Sequence, residues 1–178
     1  MPFTKDLLQF TNKVFVETGT WKGDTLNTVL SSGLFETLIS LELSVPFFKE
    51  STERFSDCKT VKLYNANSKT DLYTIIKDIT TPITFWLDSH WSGIPDVASD
   101  EVICPILEEL EQIKIHSINT HTIIIDDIRL MNGNSNRYMG FPVTHHEIIE
   151  KLYKINSEYK IRYFDDYCST GDVLVAYL

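Results

Sequence analysis

Two runs, ITFWLD and TIIIDD, constrain this chain most. Each is apolar on successive residues and each stops at aspartate, Asp88 in the first and Asp126 and Asp127 in the second. A strand with one wet face alternates polar and apolar side chains, so a run without alternation is buried on both faces. That is the pattern of a mostly parallel sheet covered by helices on both sides. The remaining apolar runs fit the same plan. Strands are predicted at Val14 to Glu17, Thr37 to Leu43, Thr60 to Tyr64, Ile83 to Asp88, Thr122 to Asp126, Lys160 to Phe164 and Val173 to Tyr177. Helical spacing occupies Asp24 to Ser32, Pro46 to Phe55, Lys69 to Ile79, Ile103 to Ile115 and Thr144 to Asn156. The segment DDYCSTGD between the last two strands is polar and too short for a helix, so those strands should pair antiparallel.

With 178 residues and 43% hydrophobic content, the chain can bury one substantial core and is short for two, which gives a single domain over 1–178. The formal charge of −9 argues against nucleic acid and anionic membrane partners, because phosphate binding needs a basic face. Small or neutral substrates suit it better. Cys58, Cys104 and Cys168 are far apart and lack paired metal spacing; without a secretory leader they read as reduced thiols of a cytoplasmic protein. No apolar run is long enough to span a bilayer.

The first strand leads into VFVETGTWKGDT. Gly19 can take backbone angles closed to other residues and would let a ligand approach the main chain, and Asp24 or Thr25 can cap the helix that follows. Such a turn can hold the charged end of a nucleotide-like cofactor, with Thr18, Thr20 and Gly23 beside it. The dinucleotide fingerprint G-x-G-x-x-G is absent, and Glu17 stands where its first glycine would fall. A carboxylate there would repel a pyrophosphate and suit a cationic ligand end, such as the amino group of S-adenosylmethionine.

In an open parallel sheet the ligand lies across the carboxyl ends of the strands. Those ends are strongly polar here. Glu42 follows the glycine turn by about 20 residues, where an acidic side chain accepts hydrogen bonds from ribose hydroxyls. Asn67 and Ser68 follow the third strand. Asp88, Asp126 and Asp127 would meet at one rim and repel one another. A hard divalent cation, Mg²⁺ or Mn²⁺, relieves that repulsion, while pairing of one carboxylate with Arg129 is the plainer alternative. His90 stands two residues beyond Asp88. The other histidines, His116, His121, His145 and His146, receive no role.

These residues carry a resemblance. From VETGTWKGDT through SLELS and FWLDSHWSG to IIIDDIR and the terminal hairpin, the chain resembles a class I S-adenosylmethionine-dependent methyltransferase. Within that superfamily, D-x-H followed by D-D resembles the small metal-dependent sugar O-methyltransferases of the macrocin and novobiocin sugar type. The resemblance implies a Rossmann-like fold, with a seven-stranded mostly parallel sheet, helices on both faces and a C-terminal antiparallel hairpin. It places Glu17 and Gly19 at the methionine end of the cofactor, Glu42 on the ribose, and Asn67 or Ser68 near the adenine. It assigns Asp88, Asp126 and Asp127 to Mg²⁺ and puts a general base at the position of His90, where members of the subgroup carry Asp. The implied acceptor is a sugar, nucleotide-sugar or glycan hydroxyl.

The chemistry agrees with these residue types. Methyl transfer needs an oxygen nucleophile held in line with the sulfonium. A cation chelated by two neighbouring hydroxyls would lower the pKa of one, and a histidine of ordinary pKa, about 6.5, could take its proton. The loops Trp91 to Cys104 and Ile128 to Pro142 follow the metal strands and carry Trp91, Arg129 and Tyr138, which suit an acceptor ring. With only about a dozen residues before the first strand, closure falls to these loops or to the second subunit of a homodimer. A catechol-like acceptor would satisfy the same metal, and a binding module retaining the fold would need no turnover. A nicotinamide oxidoreductase lacks its fingerprint here, and a metal phosphohydrolase leaves Glu17 and Glu42 unexplained.

Overall fold

The computed structural model describes residues 4–91, 103–136, 138–167 and 169–178. The predicted loop Trp91 to Cys104 and Cys168 therefore fall largely or wholly outside the described residues. Seven strands form one sheet in the order β3-β2-β1-β4-β5-β7-β6. They are β1 Val14–Thr18, β2 Thr37–Glu42, β3 Val61–Asn65, β4 Ile83–Leu87, β5 Thr122–Ile125, β6 Lys160–Phe164 and β7 Val173–Tyr177. β1 to β5 run parallel, and β7 lies antiparallel between β5 and β6.

Among the described residues five helices cover the sheet: α1 Asp24–Ser32, α2 Val45–Arg54, α3 Ser68–Ile76, α4 Ile106–Lys114 and α5 His145–Ile155. Alternation along each strand divides the core in two. Val16, Phe85, Leu87, Ile123 and Ile125 pack with Leu72 of α3, Leu110 of α4 and Ile148 and Leu152 of α5. Phe15, Trp86, Ile124 and Val175 pack with Leu26 and Val29 of α1 and with Phe55 beyond α2. Successive side chains of a strand point to opposite faces, so the unbroken apolar runs serve both layers at once.

Helix boundaries follow local signals. Pro46 occupies the first turn of α2, where its missing N–H is not needed. Thr144 and Glu147 form a reciprocal capping box at α5, with Thr144 N–H donating to the Glu147 carboxylate at 2.8 Å. One cap is not as predicted. α1 begins after Gly23 in the left-handed region, no side chain caps it, and Asp24 and Thr25 already lie within the helix. Two short 3₁₀ turns, Lys5–Phe10 and Ile128–Leu130, had no sequence signal; the first inserts Leu7 into the core.

His116 and His121, given no role by the sequence, are buried and hydrogen-bonded in series. Ile83 N–H donates to His121 Nδ1 at 3.0 Å, His121 Nε2 lies 3.2 Å from His116 Nδ1, and His116 Nε2 lies 3.1 Å from the Ile76 carbonyl. That chain ties α3 to the start of β4. Among the described residues no helix is long and apolar enough to cross a membrane.

Candidate active site

The parallel register sets the rim. Thr18 of β1 pairs with Leu87 of β4, and Leu87 with Ile125 of β5. The next residues continue the ladder, with Asp88 N–H bonded to the Thr18 carbonyl and Asp126 N–H to the Leu87 carbonyl, both at 3.2 Å. The predicted strands ended on these aspartates; the observed strands stop one residue short and leave them at the carboxyl edge.

Both glycines of the first turn have φ near +80°, and each is packed closely against its own chain. A Cβ on Gly19 would lie 2.4 Å from the Asp88 carbonyl oxygen, and one on Gly23 would lie 2.5 Å from the Phe55 ring. Gly19 therefore makes room for the main chain just beyond β4. Trp21 between them also has positive φ, at 46°. Its N–H donates to Glu42 at 2.7 Å, its carbonyl accepts from Ser51 at 3.0 Å, and Arg54 bonds the Lys22 carbonyl and Asp24. The turn is thus strapped to α2.

Glu17 is inside β1 and pairs in register with Ser40 on one side and Trp86 on the other. Thr20, Ser40 and Glu17 form a buried chain of hydroxyl and carboxyl contacts, each 2.6 Å. Burial pushes the Glu17 carboxyl up to about 8, against the Ser40 hydrogen bond and with repulsion from Asp88 and Glu42 adding to it. Glu42, two residues beyond Ser40 on the same face, accepts from Trp21 and Ser44 N–H groups, one per oxygen. The Thr20 hydroxyl is the outer member of this chain.

The adenine-side residues have structural partners. Asn67 caps α3 by accepting from Lys69 N–H at 3.1 Å. Ser68, Ser89 and Thr18 instead surround Glu109 of α4, a carboxyl 1% exposed that the sequence reading did not single out. Ser89 donates to it at 2.5 Å, while the Thr18 hydroxyl is buried without an aligned hydrogen bond. The Thr18 side chain lies beside Glu109 of α4, on the opposite side of the sheet from Glu17. Burial raises the Glu109 pKa, and the neighbouring hydroxyls pull it down.

The three predicted metal carboxylates fall into two groups that share Asp127. One contains Asp88, His90 and Asp127; the other contains Asp126, Asp127 and Asp166. His90 Nε2 lies 3.3 Å from Asp88 and 2.7 Å from Asp127, with its side chain 7% exposed. Neither contact is an aligned hydrogen bond. Burial alone would lower the His90 pKa, but the Asp127 and Asp88 carboxylates raise it to about 9. An imidazolium so held is a poor general base at neutral pH. Asp88 and Asp126 are raised, chiefly by burial, and Asp127 is lowered despite its burial by His90 and Arg129.

Arg129 was expected among the acceptor contacts. Its Nη1 instead pairs with Asp127 at 2.5 Å and with buried Asp172, whose other oxygen accepts the Arg129 N–H at 2.8 Å. It is a brace for Asp127. Trp91 and Tyr138 do come together, with ring centroids 5.5 Å apart at 76° and Tyr138 exposed. Phe141 lies beneath His90 at 5.0 Å.

No protein-family model matches the sequence, and no curated protein matches it. Solved structures do. A Streptococcus mutans protein described as a methyltransferase, in complex with SAH, superposes over 97% of this chain and 93% of its own at TM-score 0.61 and 13% identity. The O-methyltransferase TomG of Streptomyces achromogenes, involved in tomaymycin synthesis and solved with SAM, gives 0.56 over 96% and 74% at 12% identity. The N-methyltransferase NodS of Bradyrhizobium japonicum gives 0.55 over 96% and 86% at 9% identity. The chain therefore has the Rossmann-like methyltransferase fold, with β7 set antiparallel between β5 and β6.

Proposed function

We propose that the protein is an S-adenosylmethionine-dependent O-methyltransferase whose acceptor is a sugar, nucleotide-sugar or glycan hydroxyl. One observation carries the reading: Gly19 packs directly on Asp88, so the turn above Glu17 and Glu42 adjoins the Asp88, His90 and Asp127 cluster. A donor site and an acceptor site at such a junction would hold two reactants close together, which is where much of the acceleration of a displacement arises. The structures solved with SAM or SAH support the donor, since they share this fold.

S-adenosylmethionine, when bound, supplies a methyl group on a positively charged sulfur. Glu17 fits its ammonium end, because an approaching cation offsets the burial that now keeps the carboxyl protonated. Glu42 retains acceptor capacity for ribose hydroxyls, as each carboxylate oxygen has a second lone pair beyond its backbone bond. A divalent cation, Mg²⁺ or Mn²⁺, would supply Lewis acidity toward neighbouring hydroxyls at the acidic cluster. The residues fit it on the evidence of His90 Nε2, buried between two carboxylates without an aligned partner. With His90 protonated, the carboxylates of the cluster are the groups that offer the acceptor's proton a destination. The paired rings of Trp91 and Tyr138 suit the apolar face of a sugar, and the net charge of −9 disfavours a polyanionic acceptor.

Labelled S-adenosylmethionine incubated with free, nucleotide-linked and polymer-linked sugars, and with a catechol, tests the reading. Transfer to a sugar that stops on chelation and in Asp127→Ala supports it. Transfer to the catechol alone would reassign the acceptor. Calorimetric binding of NADH without binding of S-adenosylhomocysteine would overturn the methyltransferase itself.

A further inference from the structure

The predicted metal set consisted of three aspartates, yet the side chains that converge are two aspartates and a histidine. Asp126 turns one oxygen to the Asp127 N–H at 3.0 Å and groups with Asp166 instead. His90 takes the position between Asp88 and Asp127. Its ring is fixed from two sides, by Phe141 and by Nδ1 lying 3.4 Å from the Trp91 carbonyl. A histidine whose Nδ1–H faces a carbonyl turns Nε2 toward the cluster, the arrangement that orients metal-binding imidazoles, and a cation there would displace the Nε2 proton. Nε2 is buried, lacks an aligned hydrogen bond, and lies within 3.3 Å of an oxygen from each aspartate. Asp127 is likewise pre-set: Arg129 occupies Oδ1 and leaves Oδ2 toward His90.

We propose that Asp88, His90 and Asp127 form a mixed nitrogen and oxygen site for a divalent transition metal, with His90 Nε2 as a ligand and Asp126 outside the ligand set. The proposal deepens the function proposed above, since it names the ion class and the donors of that site. Imidazole nitrogen favours Mn²⁺, Co²⁺ or Zn²⁺ over Mg²⁺, which prefers oxygen and its own waters. Two carboxylates and one imidazole also leave coordination positions open on the side where Asp88 is partly exposed. As a ligand, His90 cannot simultaneously be the general base, so the role implied by its sequence position passes elsewhere in the cluster.

The test reads the metal and not the reaction. Mn²⁺ is titrated into the full chain and followed by electron paramagnetic resonance, with pulsed measurement of nitrogen coupling and Mg²⁺ as competitor. The proposal expects stoichiometric Mn²⁺ binding, a directly coordinated imidazole nitrogen, and at least roughly tenfold preference over Mg²⁺. His90→Asp should keep Mn²⁺ but lose the nitrogen coupling and most of the preference, whereas Asp126→Asn should keep both. Mn²⁺ bound without nitrogen coupling in the unaltered protein overturns the proposal while leaving a metal-dependent methyltransferase intact, and absence of Mn²⁺ binding overturns both. Nitrogen coupling in a protein that transfers no methyl group upholds the site and sinks the function.

Discussion

Gly19 and Asp88 are in contact through their backbones: a methyl group added to Gly19 would lie 2.4 Å from the Asp88 carbonyl oxygen. The neighbour is main chain, so it cannot swing aside. Gly19→Ala should therefore cost about 3 kcal/mol, combining left-handed strain with a clash, and should lower Tm clearly. Gly33 is the control. It has φ of +67° at the end of α1 with nothing within 4 Å of its added carbon, so Gly33→Ala should cost only about 1 kcal/mol. Equal losses in thermal melts of the two variants would show that the contact with Asp88 is not the reason for Gly19.

If Glu17 meets the cofactor's ammonium as proposed, binding should be pH-dependent. Its empty-state pKa of about 8 lies far above the usual carboxylate value, so at neutral pH it carries a proton. An ammonium beside it would expel that proton, and affinity should rise with pH until about 8. Titration calorimetry of S-adenosylhomocysteine in buffers of different ionisation enthalpy should detect close to one proton released near neutrality. Glu17→Gln should bind more weakly and release none. The empty protein should show the opposite trend in stability, because a raised acid pKa gives stability that is lost as pH climbs from about 4.5 to about 8.

The buried histidine chain predicts acid sensitivity. Burial, reinforced by His116, lowers the His121 pKa to about 4, while an unfolded histidine titrates near 6.5. The unfolded chain then binds more protons across that interval, so the contribution is full above about pH 6.5 and disappears as pH falls toward 4. Urea melts should lose roughly 2 to 3 kcal/mol over this range. His121→Gln should flatten the dependence; an unchanged slope would place its origin elsewhere.

Glu109 should matter more for its shape than for its charge. Glu109→Ala removes the acceptor of Ser89 and strands neighbouring hydroxyls, at a cost of about 2 kcal/mol. Glu109→Gln keeps an acceptor in place and should recover most of that in denaturant melts. Equal loss in both variants would mean that the ionised carboxylate is what the cluster requires.

Glu109 also marks where sequence reading stops. The strands were legible because ITFWLD and TIIID are apolar on both faces, and the rim carboxylates followed from where those runs end. Glu109 sits in an ordinary amphipathic helix, and its partners Ser68, Ser89 and Thr18 come from three other segments, so no local spacing announces it. Arg129 was visible, but its commitment to Asp172 depends on a hydrogen bond spanning 43 positions. The grouping of His90 with Asp88 and Asp127 likewise depends on side-chain direction, which periodicity does not specify. The glycines were found by sequence and explained by structure: their space is filled by Asp88 and Phe55.

The placement of β7 between β5 and β6 has a consequence for how the molecule is assembled. β5 gains its second neighbour from a strand that begins only at Val173, well beyond its own end at Ile125. Until that strand arrives, Thr122–Ile125 presents an unpaired edge of three consecutive isoleucines, the kind of surface that recruits other chains. Asp172, the residue just before β7, arrives with it and braces Arg129 against Asp127. A chain halted before Val173 should therefore aggregate through β5 and lack an ordered acidic cluster, whereas the arrival of β7 protects the edge and sets Asp127 in a single event.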